Sequence, residues 1–190
     1  SVAKGAEQEN WNAEATGIDE SVSGVIVADN GQEILILSYA SICEDAKEWC
    51  VTFSDKSEYK ASLKKKDKNS GFAIFAVDKK SLSDATWSAS SVASLGNSNL
   101  TEQGDVIFAL GNIFGYAGGS GYGIVSSSNY KEIGRDGEYS VIATDMSSAS
   151  EGTGILFNLD GEVIGMISSD IWKDRGVRTA NAATTENISP

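Results

Sequence analysis

Histidine is absent from all 190 residues. Its absence excludes every mechanism that uses an imidazole to accept a proton, imidazole-bound zinc, and any histidine pH switch. Proline occurs once, so a proline-rich recognition segment or a collagen-like repeat is excluded despite the 20 glycines. Cysteine occurs only as Cys43 and Cys50, too few for a structural zinc site or an iron–sulfur cluster. No run of eighteen apolar residues is present, so direct membrane insertion is not expected. Positive charge is scarce, with 15 Lys and Arg against 27 Asp and Glu, a net charge of −12. Such a field repels phosphates and anionic lipid surfaces, and nucleic acid is not expected as a partner. No metal or cofactor is expected either.

What remains is an ordinary globular composition, with 41% hydrophobic and 22% charged residues. Alternating or continuous apolar runs recur every ten to fifteen residues and predict strands at 22–28, 34–38, 49–53, 59–65 and 72–77. A second set follows at 105–110, 122–127, 139–144, 154–157, 162–168 and 176–181. Turn residues such as Asp29-Asn30-Gly31 and Asp160-Gly161 separate them. The pattern predicts an all-β chain, with one short helical turn at 44–49 and a serine-rich connection over 81–96. The lysine cluster of Lys56, Lys60, Lys64, Lys65, Lys66 and Lys68 reads as a solvated edge strand.

Five segments, in order over residues 21–181, resemble the HtrA (DegP-type) branch of the trypsin-like serine proteases. Gly104-Asp105-Val106-Ile107-Phe108-Ala109-Leu110-Gly111-Asn112-Ile113-Phe114-Gly115 is similar to that family's G-D-x-V-x-A-I-G-N-P-F-G, and Gly123-Ile124-Val125-Ser126 to its G-I-V-S. Thr144-Asp145, Leu159-Asp160-Gly161-Glu162-Val163-Ile164-Gly165 and Ser23-Gly24-Val25-Ile26-Val27 complete the set. The resemblance implies two six-stranded antiparallel β-barrels: an acidic lead-in at 1–16, a first barrel at 17–92 and a second at 93–190.

Such a protease needs a serine nucleophile, a histidine to take its proton and an aspartate to hold the histidine. Laid on the family's motifs, the base position falls on Ser41, the orienting carboxylate on Gly71 and the nucleophile on Gly152. None carries the required group. The expectation is a pseudoprotease that serves as an interaction or scaffold module, with a non-triad hydrolase using Ser41 or Thr153 and a lysine as the alternative. In the family a substrate adds a strand beside the segment after the nucleophile loop. By that resemblance Gly152, Thr153, Gly154, Ile167, Ser168 and Ser169 would hold an unidentified protein or extended peptide.

Several other features read as structural. Asp105 and Asp145 lie at strand ends, Gly118 to Gly123 suggests a mobile hairpin loop more than a phosphate cradle, and the four tryptophans suggest packing, with Trp172 nearest the family's substrate pocket. For the cysteines a short-loop disulfide leads, two inert thiols come next and a redox pair last. The chain opens at Ser1 without methionine, which suggests a piece of a longer protein, and the family resemblance with a possible disulfide implies a bacterial one, exported or held at the cell surface.

Overall fold

A computed structural model of the chain describes residues 1–4, 21–67, 70–133, 138–149, 152–167 and 184–186. It divides into two compact units, Ser1–Val92 and Ala93–Pro190.

The first unit holds β1 (Val2–Lys4), β2 (Ser21–Val22), β3 (Gly24–Asp29), β4 (Glu33–Tyr39), β5 (Trp49–Thr52), β6 (Glu58–Lys66) and β7 (Phe72–Asp78). Their order is β2-β1-β5-β6-β7-β4-β3. Only Ser23 separates the two outermost strands, so one segment, 21–29, pairs with β1 at its start and with β4 along its length. That shared segment brings the seven strands round to the six-segment antiparallel barrel read from the sequence. Alternation aims Ile34 and Ile36 of β4, Phe75 and Val77 of β7, Val51 and Val2 into the core, all nearly or fully buried. Ser38 sits among them as a satisfied polar group, its hydroxyl donating to the Ser23 carbonyl at 2.7 Å.

Several expectations are corrected here. At the start of the lead-in Val2–Lys4 forms a strand of the first unit, with Val2 wholly buried between β2 and β5. β6, which carries Lys60, Lys64, Lys65 and Lys66 of the lysine cluster, is not an edge strand: it pairs with β5 on one side and β7 on the other. Lys60 and Lys64 share its outward face, where Lys60 meets Glu48 and Lys64 meets Glu33. The helical turn is a 3-10 turn at Ala40–Cys43, four residues before its expected place, and the serine-rich connection contains a short helix, α1 (Asp84–Ser88), capped by the Ser83 hydroxyl.

The disulfide is corrected as well, since both thiols are free. Trp49 lies against buried Phe75, and its indole donates to the Ile42 carbonyl on the turn that carries Cys43. The pleat therefore points Cys50, the next residue, to the opposite face. Burial raises the pKa of both thiols. Lys66 partly offsets this at Cys43, whereas Glu58 and Glu48 add to it at Cys50.

The second unit is a closed six-stranded antiparallel barrel. Its strands are β8 (Val106–Asn112), β9 (Gly119–Ile133), β10 (Glu138–Thr144), β11 (Thr153–Phe157), β12 (Val163–Ile167) and β13 (Thr184–Glu186), in the order β10-β13-β12-β11-β8-β9. Ile107, Ala109, Val125, Ile142, Leu156 and Ile164 fill it. The strand expected at 176–181 lies outside the described residues. The expected mobile loop at Gly118 to Gly123 is instead almost entirely strand, with Gly119 opposite Gly111 and Gly123 opposite Ile107. Glycine is needed there for space: a Cβ on Gly123 would come within 2.4 Å of both the Asp145 carboxylate and Met146.

Candidate functional site

In the first unit, the residues at the base and carboxylate positions are brought together. Buried Ala40 and Ile42 pin the 3-10 turn and leave Ser41 between them exposed. The Ala40 amide donates to the Gly71 carbonyl at 2.7 Å, just beyond the point where Tyr39 and Phe72 face each other across β4 and β7. Gly71 has φ +74, and nothing lies within 4 Å of where its Cβ would stand. Here the obstacle to an aspartate is backbone conformation, not room.

In the second unit, Gly152 fails for the opposite reason. The Ala149 amide donates to the Ile113 carbonyl at 2.8 Å, which draws the loop before β11 onto the end of β8. A Cβ on Gly152 would then lie 2.2 Å from that same Ile113 oxygen. No side chain fits without moving backbone. The Gly152 amide donates to Ala149 at 2.9 Å, so it is spent inside the loop and is not aimed at a developing anion. Ser150 and Glu151, which precede Gly152, lie outside the described residues. The sequence reading missed Ile113, although a signal was present: it stands where the resembled motif has proline.

Of the expected peptide-binding residues, Gly152, Thr153, Gly154 and Ile167 are neighbours. Gly154 pairs with Gly111 on one side and Ile167 on the other, and Thr153 with Asn112. These positions do not form an open edge. Met166 and Ile167 pair with β13, so β12 is hydrogen-bonded on both sides there, and Ile167 is buried. Ser168 and Ser169 lie outside the described residues.

Four of the described lysines are held in ion pairs. The second unit describes one, Lys131, which is 64% exposed and held by Glu138. In the first unit Lys60, Lys64 and Lys79 are in ion pairs with Glu48, Glu33 and Asp29. The carboxylates Asp105 and Asp145 accept backbone amides of Glu102 and Ile124 at 2.8 and 2.7 Å, a structural use. Trp49 packs on Phe75 and Trp87 lies under the Lys79 ammonium, while Trp11 and Trp172 are outside the described residues. Among the described residues no three His, Cys, Asp or Glu side chains gather to hold a metal, and no helix is long and apolar enough to cross a membrane.

Comparison with known proteins finds the trypsin-like peptidase domain family over residues 22–166. Proteins described as probable periplasmic serine endoproteases, DegP-like, from Pseudomonas savastanoi and Halomonas elongata are each 34% identical over 155 residues, covering 81% of this chain. The chain spans 30% of the length of those relatives. Among solved structures, the HtrA-type protease AlgW with a decapeptide superimposes with a TM-score of 0.66 at 23% identity, over 88% of this chain and 48% of that one. AlgW with a tripeptide gives 0.66 at 24%, over 88% and 52%.

Proposed function

Because the chain belongs to the trypsin-like peptidase domain family, in its HtrA or DegP-type branch, we propose that it is a proteolytically inactive member that holds an extended peptide or protein segment without cutting it. The observation that carries this reading is the absence of histidine from the whole sequence. A serine hydroxyl attacks an amide only when a base removes its proton, and here no imidazole can do so. Loss of a triad member such as the serine or the histidine costs about six powers of ten in turnover, roughly 8 kcal/mol of barrier. At position 152 itself a borrowed base would find no nucleophile, and the Ile113 carbonyl leaves no room there for a side chain.

Binding survives such losses because strand addition uses main-chain hydrogen bonds. The similar AlgW structures are described with a decapeptide and with a tripeptide, which supports peptide capture here. β12 is paired on both sides up to Ile167, so of the expected positions Ser168 and Ser169, outside the described residues, are the ones assigned to a bound segment. The periplasmic description of the relatives supports an extracytoplasmic location.

Treatment with a fluorophosphonate probe together with a casein turnover assay tests the inactivity. The expected result is no adduct and no cleavage. An adduct on Ser41 or Thr153 accompanied by cleavage would overturn it in favour of a lysine-assisted hydrolase. Titration with extended decapeptides tests the holding role, which absence of binding at millimolar concentration would sink.

A further inference from the structure

The hairpin of β8 and β9 turns a row of large apolar side chains outward from the second barrel. Phe108 is 42% exposed, Leu110 51% and Tyr122 79%, with Val106 and Ile124 beside them. They are cross-strand partners, Val106 opposite Ile124 and Phe108 opposite Tyr122, so they form one continuous face. An apolar patch of this kind is uncommon on a soluble surface without a partner. At the start of β8 the face runs into a cavity of about 360 Å³ whose lining includes Val106, Leu100, Leu159 and the carboxylates Asp105, Asp160 and Glu162, with no cation among them. It lies at the opposite end of β8 from Asn112, the partner of Thr153.

We propose that this face docks a partner segment in extended conformation that presents an arginine or lysine to the cavity, followed on the same side by alternate apolar residues. Charge selects that occupant. The second unit carries twelve carboxylates against five cations, and its one described lysine is engaged with Glu138. A second copy of the chain would bring two such cavities and two charges of −12 together, which like-charge repulsion opposes. Side chains on one side of an extended segment repeat about every 6.6 Å, the pitch at which Val106, Phe108 and Leu110 succeed one another along β8. The site is additional to the one proposed at Ser168 and Ser169 and does not depend on whether the chain cuts peptides.

The test uses the whole chain and a fluorescein-labelled peptide, Gly-Arg-Ser-Val-Ser-Leu-Ser-Tyr-Gly, read by anisotropy. A counterpart with glutamate in place of arginine serves as control. Binding is expected for the arginine peptide and should weaken at least about tenfold for the glutamate peptide, for Asp160→Lys and for the double variant Phe108→Ser, Tyr122→Ser. These side chains point outward, and a circular dichroism spectrum checks that each variant is folded. No binding at millimolar peptide, or equal binding by both peptides or by the variants, overturns the proposal. So does a dimer in sedimentation that Tyr122→Ser dissolves, which would assign the face to self-association. Failure of this experiment leaves the fluorophosphonate and casein results untouched, so the two readings fall separately.

Discussion

At the scale of single residues, two glycines stand where the resemblance expects catalytic groups, and they resist substitution for different reasons. Gly152→Ser must move the Ile113 carbonyl or the loop that hangs on it, because the new Cβ would be 2.2 Å from that oxygen. The expected cost is about 1–3 kcal/mol of stability, read as a lower urea midpoint. Gly71→Asp meets no atom within 4 Å but inherits φ +74. Its cost is that of a side chain in the left-handed region, about 1–2 kcal/mol. Exposed Ser41 accepts a histidine at little cost, so a triple restoration should fail first at Gly152. An unchanged midpoint for Gly152→Ser would contradict the closed loop. Sequence reading could see that the chain has no histidine to serve as a base, since no structure is needed to count histidines. That Gly152 is sterically closed was not legible, because it depends on a carbonyl oxygen 39 residues away in sequence; the isoleucine in place of proline was its only trace.

At the scale of elements, α1 is tied to the first barrel by a small polar network. The Thr86 hydroxyl, fully buried, donates to the Asp55 carboxylate at 2.6 Å and lies 3.0 Å from the Tyr59 hydroxyl and 2.8 Å from that of Ser83. The bond from Thr86 and the Ser57 amide hold the Asp55 carboxyl below its ordinary value of 3.8. A carboxylate with a depressed folded pKa stabilises fully above its unfolded value and ceases to do so as pH falls through the folded one. Wild type should therefore lose stability below about pH 4 partly through Asp55. In Asp55→Asn the amide oxygen still accepts from Thr86 but does not titrate. The stability gap between the two proteins, measured by urea at pH 6 and pH 2.5, should shrink on acidification, and a constant gap would show that Asp55 has no part in the acid limb. The longer strands were readable because alternation repeats along them, whereas β1, three residues long, was not. This helix was not, because five residues carry too little periodicity to stand out of a serine-rich stretch, even though Ser83 and Asp84 form a recognisable start. The misplaced edge strand has a similar cause. Outward lysines look alike on an edge and on an interior strand, and only the pairing of β6 on both sides distinguishes them.

At the scale of the whole molecule, the net charge of −12 makes ionic strength act with opposite sign on two properties. A folded chain concentrates its like charges, so self-repulsion weakens it, and salt should relieve that repulsion. The described ion pairs pull the other way, but Lys60–Glu48 and Lys131–Glu138 are largely exposed and worth little. The urea midpoint should therefore rise modestly between 20 and 500 mM sodium chloride, conditions over which the Debye length falls from about 20 Å to about 4 Å. Capture of the arginine peptide depends on attraction to Asp105, Asp160 and Glu162 and should weaken over the same range. A basic segment held mainly by the apolar row would keep its affinity in salt while losing it with Phe108→Ser, Tyr122→Ser. The pair of titrations thus apportions binding between the cavity and the face. A midpoint that falls with salt would mean that the surface ion pairs outweigh the repulsion, reversing the reading of the charge.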